Sequence, residues 1–120
     1  MRMDMFTPRL LAAGLKATMG KGNRGPEVQR ALKKYVAVYF MAVGGAGAML
    51  SRSIKNVEEV AYEDLGSESI KRMEVEDFPA VVMDDCYGHD LLMEGREKWR
   101  DLSKLGSYKP SKKIVIAGGG

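Results

Sequence analysis

Nine apolar residues in unbroken succession, Tyr35 to Val43 (YVAVYFMAV), set the strongest limit on how this 120-residue chain folds. The run is far too short to span a membrane. It is rich in β-branched and aromatic side chains, so it predicts a central strand covered on both faces. Directly before it, Val28, Ala31, Leu32 and Tyr35 recur at i, i+3, i+4 and i+7, the period of an amphipathic helix. Pro26 suits the first turn of that helix, and Arg30, Lys33 and Lys34 fall on its wet face. Leu15 to Met19 reads as a short strand, joined to the helix by the loop Gly20-Lys21-Gly22-Asn23-Arg24-Gly25-Pro26. Strand, helix and strand in that order predict an α/β layered domain.

The remaining punctuation extends the pattern. Thr7-Pro8 reads as a helix start with the hydroxyl as a cap, and Gly14 as the left-handed stop. Gly44-Gly45-Ala46-Gly47 breaks the apolar run and leads into a small-residue helix through Met49 and Leu50. Val57 to Tyr62 predicts a strand, and Ser67 to Met73 a short helix capped by Ser67, with Ile70 and Met73 inward. Ala80 to Met83 predicts a strand, Asp84 to Asp90 a turn around Gly88, and Leu91 to Met93 a returning hairpin strand. Glu94 to Leu105 reads as a last amphipathic helix using Trp99, Leu102 and Leu105. Residues 106–120 read as a tail in which 114–116 offer an edge strand. The nine methionines read as adaptable core filler.

Composition narrows the class. At 45% apolar and 29% charged, the chain has the makings of one soluble globular domain. A single cysteine excludes an internal disulfide framework and an all-cysteine metal site built from this chain alone. With no signal-peptide pattern, the expected compartment is the cytoplasm. The net charge of +3 conceals a segregation. Residues 1–56 are strongly basic, residues 57–101 strongly acidic, and the last stretch basic again. An anion-attracting first half follows.

Constellations with chemical potential are few. Lys21-Gly22-Asn23-Arg24 lies between a strand and a helix start, where glycines permit close approach and free N–H groups favour an anion. It lacks the Gly-Lys-Ser/Thr ending of a Walker loop, and on pattern alone the plainer reading is a tight connection with two solvated cations. Gly44 to Leu50 partly imitates a dinucleotide fingerprint, with Glu63 or Asp64 at ribose-binding distance, which leaves a nucleotide-binding domain as a lesser alternative. The third glycine is absent, and close packing of a helix start on the sheet accounts for the others equally well. Asp84-Asp85-Cys86-Tyr87-Gly88-His89-Asp90 invites a metal reading, but a hairpin turn explains it better. Cations without interleaved aromatics, beside an acidic middle, argue against nucleic acid.

The order of short blocks carries more. Arg2-Met3-Asp4, Phe6-Thr7-Pro8, Gly14-Leu15-Lys16, Gly20-Lys21-Gly22-Asn23-Arg24 and Ala37-Val38-Tyr39-Phe40 follow one another, then Val43-Gly44-Gly45-Ala46-Gly47-Ala48. Val60-Ala61-Tyr62-Glu63-Asp64-Leu65-Gly66 and Val75-Glu76-Asp77-Phe78-Pro79-Ala80 continue the series. From Arg2 to about Glu94 the chain resembles the β subunit, or C-terminal domain, of class I iron–sulfur fumarate hydratases and L(+)-tartrate dehydratases.

That resemblance implies a three-layer swivelling β/β/α domain, here lacking its N-terminal part, with residues 1–105 as its C-terminal portion. It implies a hydro-lyase acting on a small dicarboxylate, fumarate/malate or L-tartrate. The 4Fe-4S cluster is expected on a partner α subunit, with no cofactor or metal held by this chain, in a hetero-oligomer or homodimer. Arg2 and Lys21 correspond to substrate-binding positions, with Asp4, Gly22, Asn23 and Arg24 in support. Arg suits a carboxylate through its planar fork, and Lys as a point charge. The family's Thr-Thr segment before Arg-Met-Asp has no counterpart here, so no catalytic residue is expected on this chain, and a non-catalytic assembly module is the alternative. His89 stands where relatives usually carry Asn.

Overall fold

A computed structural model describes residues 2–103. The elements in chain order are α1 (Thr7–Ala12), β1 (Ala17–Gly20), α2 (Pro26–Tyr35), β2 (Val38–Met41), α3 (Gly47–Leu50), β3 (Ile54–Ala61), β4 (Ile70–Val75), β5 (Val81–Asp84) and α4 (Leu91–Trp99). A 3₁₀ segment, Glu63–Glu68, joins β3 to β4. The architecture is mixed α/β, with β1, β2 and β5 forming one sheet and β3 and β4 a separate hairpin.

The strand–helix–strand reading holds. β1 and β2 run parallel, with Ala17 opposite Val38 and Gly20 opposite Met41. Parallel neighbours require a crossover, and α2 is that crossover. Its apolar stripe buries Val28, Ala31 and Leu32 against Leu11 of α1, Ala37 and Tyr39 at β2, and Met83 of β5. Val28 and Leu32 are fully buried, each stabilising the fold by roughly 1.5–3 kcal/mol. Gly14 takes φ 110° just past α1, as its stop signal predicts.

Several expectations are corrected. The apolar run is not one strand covered on both faces: Tyr35 ends α2, and Val36 caps it in the left-handed region at φ 51°. β2 is central in its sheet, but only Tyr39 within it is fully buried. The Thr7 hydroxyl does not cap a free N–H; it donates back to the Met3 carbonyl at 2.8 Å. Residues 67–73 do not form a helix. Cross-strand pairing wins there, setting Lys71 against Glu59 and Arg72 against Glu58, with both pairs in ionic contact. Ile70 and Met73 therefore sit half exposed on a two-stranded sheet.

Leu91 to Met93 does not return as a strand. Asp90 makes a single bridge to Asp84, then caps α4 by accepting from the Met93 amide at 2.9 Å. That cap starts the last helix three residues earlier than the apolar spacing predicts, and leaves Trp99 and Leu102 exposed. The methionines are not core filler: among the described ones only Met83 is buried, while Met3, Met5, Met19, Met49, Met73 and Met93 are exposed. Leu105 and the 114–116 strand lie outside the described residues. Among the described residues no helix is long and apolar enough to cross a membrane.

Candidate functional site

The loop between β1 and α2 leaves the C-terminal end of β1 and enters a ten-residue helix. Helix starts expose N–H groups that attract anions. Here the anion is the chain's own: Asp4 Oδ2 accepts from the Gly25 amide, the N-cap position of α2, at 2.8 Å. Asp4 Oδ1 accepts from Arg24 Nη1 at 3.2 Å. One carboxylate thus caps the helix and pairs with the cation beside it. Burial acts to raise the Asp4 pKa, but hydrogen bonds, those from Gly25 and Arg24 among them, hold it below the usual carboxylate range. Asp4 stays ionised.

Arg24 is more than a solvated cation. Its guanidinium lies 4.5 Å from the centroid of the Tyr39 ring, which is completely buried. Stacking on that face adds attraction to the ion pair. The Tyr39 hydroxyl in turn donates to the Gly22 carbonyl at 2.9 Å, so one side chain underlies Arg24 and holds the loop. Burial pushes the Tyr39 phenol up, keeping it protonated as the donor this bond needs.

The predicted site residues therefore divide. Asp4, Gly22 and Arg24 are brought together by direct bonds or through Tyr39. Asn23 is half-buried in the same loop. Arg2 and Lys21 are exposed, and they lie on the two segments that Asp4 ties together. With Arg24 turned inward and the α2 start occupied by Asp4, Lys21 is the outward cation of the loop. Tyr39 and Gly25 were missed by sequence reasoning. The signal for Tyr39 was a hydroxyl in the middle of an apolar run, since a buried Tyr usually finds a partner for its O–H.

The other constellations have structural occupations. Asp85 Oδ1 accepts from the amides of Tyr87, Gly88 and His89 at 2.9–3.0 Å, and Asp85 Oδ2 lies 2.7 Å from His89 Nδ1. The His89 amide, against a smaller opposing effect of burial, brings the Asp85 pKa down to about 2. This is the predicted turn. Among the described residues no three His, Cys, Asp or Glu side chains converge as metal ligands, so with only Cys86 these residues do not fit an iron–sulfur cluster. A Cβ at Gly44, Gly45 or Gly47 would meet nothing within 4 Å, so close packing does not explain those glycines. Gly45 instead serves a turn at φ 77°. α3 is only four residues long, a poor dipole for a pyrophosphate. A cavity of about 610 Å³ along α4, lined by Met93, Arg96, Glu97, Trp99 and Arg100, shares no residue with the loop.

Comparison with known proteins covers the same stretch. The family model described as "Fumarase C-terminus" matches residues 1–95. This chain belongs to the fumarase C-terminus family. It is 42% identical over 95 residues to the aerobic class I fumarate hydratase of Escherichia coli (strain K12), covering 78% of this chain and 17% of that protein. Fumarate hydratase 2 of Leishmania major is 39% identical over 92 residues, covering 75% of this chain and 16% of that one. The L(+)-tartrate dehydratase subunit beta of E. coli K12 is 29% identical over 100 residues, covering 81% of this chain and 50% of that one. This chain thus spans about a sixth of the fumarate hydratases and half of the tartrate dehydratase subunit. The Arg2 segment, the cation loop and Tyr39 all lie inside the family match.

Proposed function

We propose that this fumarase C-terminus chain supplies carboxylate-binding cations to a hydro-lyase that adds water to, or removes it from, a small dicarboxylate. Fumarate/malate is the first substrate pair and L-tartrate the next, after the names its relatives carry. Arg2 would bind one carboxylate through its planar fork, and Lys21 would supply a compact charge to the substrate dianion. The observation that carries this reading is the Asp4 strap. It fixes the segment bearing Arg2 to the loop bearing Lys21 while leaving both side chains exposed.

The reaction itself needs groups beyond this chain. An iron–sulfur α subunit is the proposed partner, and a swivelling β/β/α domain is the proposed setting of this chain. This chain's share of the work is binding and orientation, which lower the barrier by holding the reactant in place.

The test is hydration of fumarate and dehydration of L-tartrate by the chain assembled with its cluster-bearing partner. Arg2→Ala and Lys21→Ala are each expected to lower kcat/KM by about 10²-fold or more, from loss of a charged hydrogen bond. Unchanged turnover in both variants would remove the assignment.

A further inference from the structure

Tyr39 has no place among the predicted site residues, yet it touches the cation loop from beneath at more than one point. Its hydroxyl donates to the Gly22 carbonyl, and its ring carries the Arg24 guanidinium. A Cβ added at Gly20 would stand 3.2 Å from the Tyr39 hydroxyl oxygen and 3.4 Å from Arg24 Nη2, so the clamp closes over a residue without a side chain. The ring cannot move away, because Tyr39 is completely buried in the cluster formed with Leu32, Ala37 and Met83. Gly22 itself takes φ 84°, in the left-handed region, and the Tyr39 hydroxyl holds its carbonyl there.

We propose that Tyr39 is a positioning residue for the dicarboxylate site: it fixes the Lys21-Gly22-Asn23-Arg24 loop so that Lys21 is presented to the substrate. This rests on the reading of Lys21 given under Proposed function. The logic is preorganisation. A Lys side chain loses much rotamer freedom on pairing, and a loop that also had to be ordered would weaken binding further. Tyr39 settles the backbone part before the ligand arrives. Arg24, stacked on the ring and paired with Asp4, transmits the same constraint to the α2 start through Gly25.

The experiment uses the isotope-labelled 120-residue chain, titrated with L-malate and, as a monocarboxylate control, L-lactate. Amide exchange at Gly25 and backbone relaxation at Gly22 are followed without ligand. Tyr39→Phe keeps the ring and loses only the hydroxyl. It is expected to speed Gly25 exchange at least about tenfold and to weaken L-malate binding about three- to tenfold. Gly20→Ala keeps every polar group but wedges the clamp, and is expected to move both readouts the same way, which covers a failure of Tyr39→Phe to fold. Leu11→Ala, which weakens the core without touching the loop, is expected to leave malate affinity unchanged. Unaltered Gly25 exchange in Tyr39→Phe and Gly20→Ala overturns the clamp. Faster exchange with unchanged malate affinity overturns the positioning role. Failure of the native chain to prefer malate over lactate is a different result: it overturns the Lys21 reading and this inference with it.

Discussion

Asp4 and Arg24, twenty residues apart in sequence, form a largely buried ion pair at 3.2 Å, and the second oxygen of the same carboxylate caps α2 through the Gly25 amide. A buried pair is strongly destabilising to break on one side, because the remaining charge is left without compensation. Asp4→Ala strands Arg24 and uncaps the helix, and should cost about 3 kcal/mol in urea denaturation. Asp4→Asn keeps an oxygen for Gly25 and should cost roughly half as much. The pH dependence follows from the lowered Asp4 pKa. Its contribution is complete above the unfolded value of about 3.9 and is lost as pH falls through the folded one. The difference between native chain and Asp4→Asn should therefore shrink below about pH 4.

Val36 caps α2 with φ 51°, a conformation a β-branched residue adopts only under strain. The residue is 65% exposed, so little packing holds it there. Replacement by glycine relieves about 1–2 kcal/mol of backbone strain and gives back about 0.5–1 kcal/mol through the freer unfolded chain. Val36→Gly should raise stability by about 0.5–1 kcal/mol, visible as a higher urea midpoint at unchanged slope.

Asp84 is buried at 2% exposure and lies opposite Tyr39 in the β2–β5 pairing, with one carboxylate oxygen lacking a partner among the described residues. Burial first, then the nearby Asp90 charge, raises its pKa. Because the folded value lies above the unfolded one, folding favours the protonated acid, and stability falls as pH rises from about 3.9 through the folded pKa. Asp84→Asn removes that penalty and still offers an oxygen to Gln29 Nε2. It should stabilise the chain by about 1 kcal/mol at pH 7 and scarcely at all at pH 3, read from denaturation at the two pH values.

Legibility in the sequence tracked the range of the interactions. The β1–α2–β2 unit was readable because its apolar spacing is local and its boundary signals, Gly14 closing α1 before it and Pro26 opening α2, act on the backbone where they stand. The hairpin strand β4 was not: Ile70 and Met73 mimic a helical i, i+3 pair, and only pairing with β3 distinguishes strand from helix. The start of α4 was missed because Asp90 was counted as part of a turn instead of as a cap. At the site, the motifs marked Asp4, Lys21 and Arg24, but the sequence could not tell that Arg24 points inward. That depends on Tyr39, whose hydroxyl signals the need for a partner but not which one until β2 is laid against the loop.

The Asp85–His89 pair offers a test independent of the cation site. His89 Nδ1 lies 2.7 Å from Asp85 Oδ2, and that hydrogen bond first, then the carboxylate's charge, raises the imidazole pKa. The raised His89 value means its contribution is complete below the unfolded pKa of about 6.5 and is lost as pH rises through the folded one. The lowered Asp85 value, about 2, means its contribution is complete above about 3.9 and is lost as pH falls toward 2. The pair is thus at full strength between about pH 4 and 6.5. An NMR titration should place the His89 midpoint above 6.5, and Asp85→Asn should return it toward 6.5. A midpoint unmoved by that substitution would mean that the Asp85 contact does not persist in solution. His89→Asn should abolish the loss of stability above pH 6.5 without changing the Asp85-centred turn, because Asp85 Oδ1 takes its hydrogen bonds from backbone amides that the substitution retains.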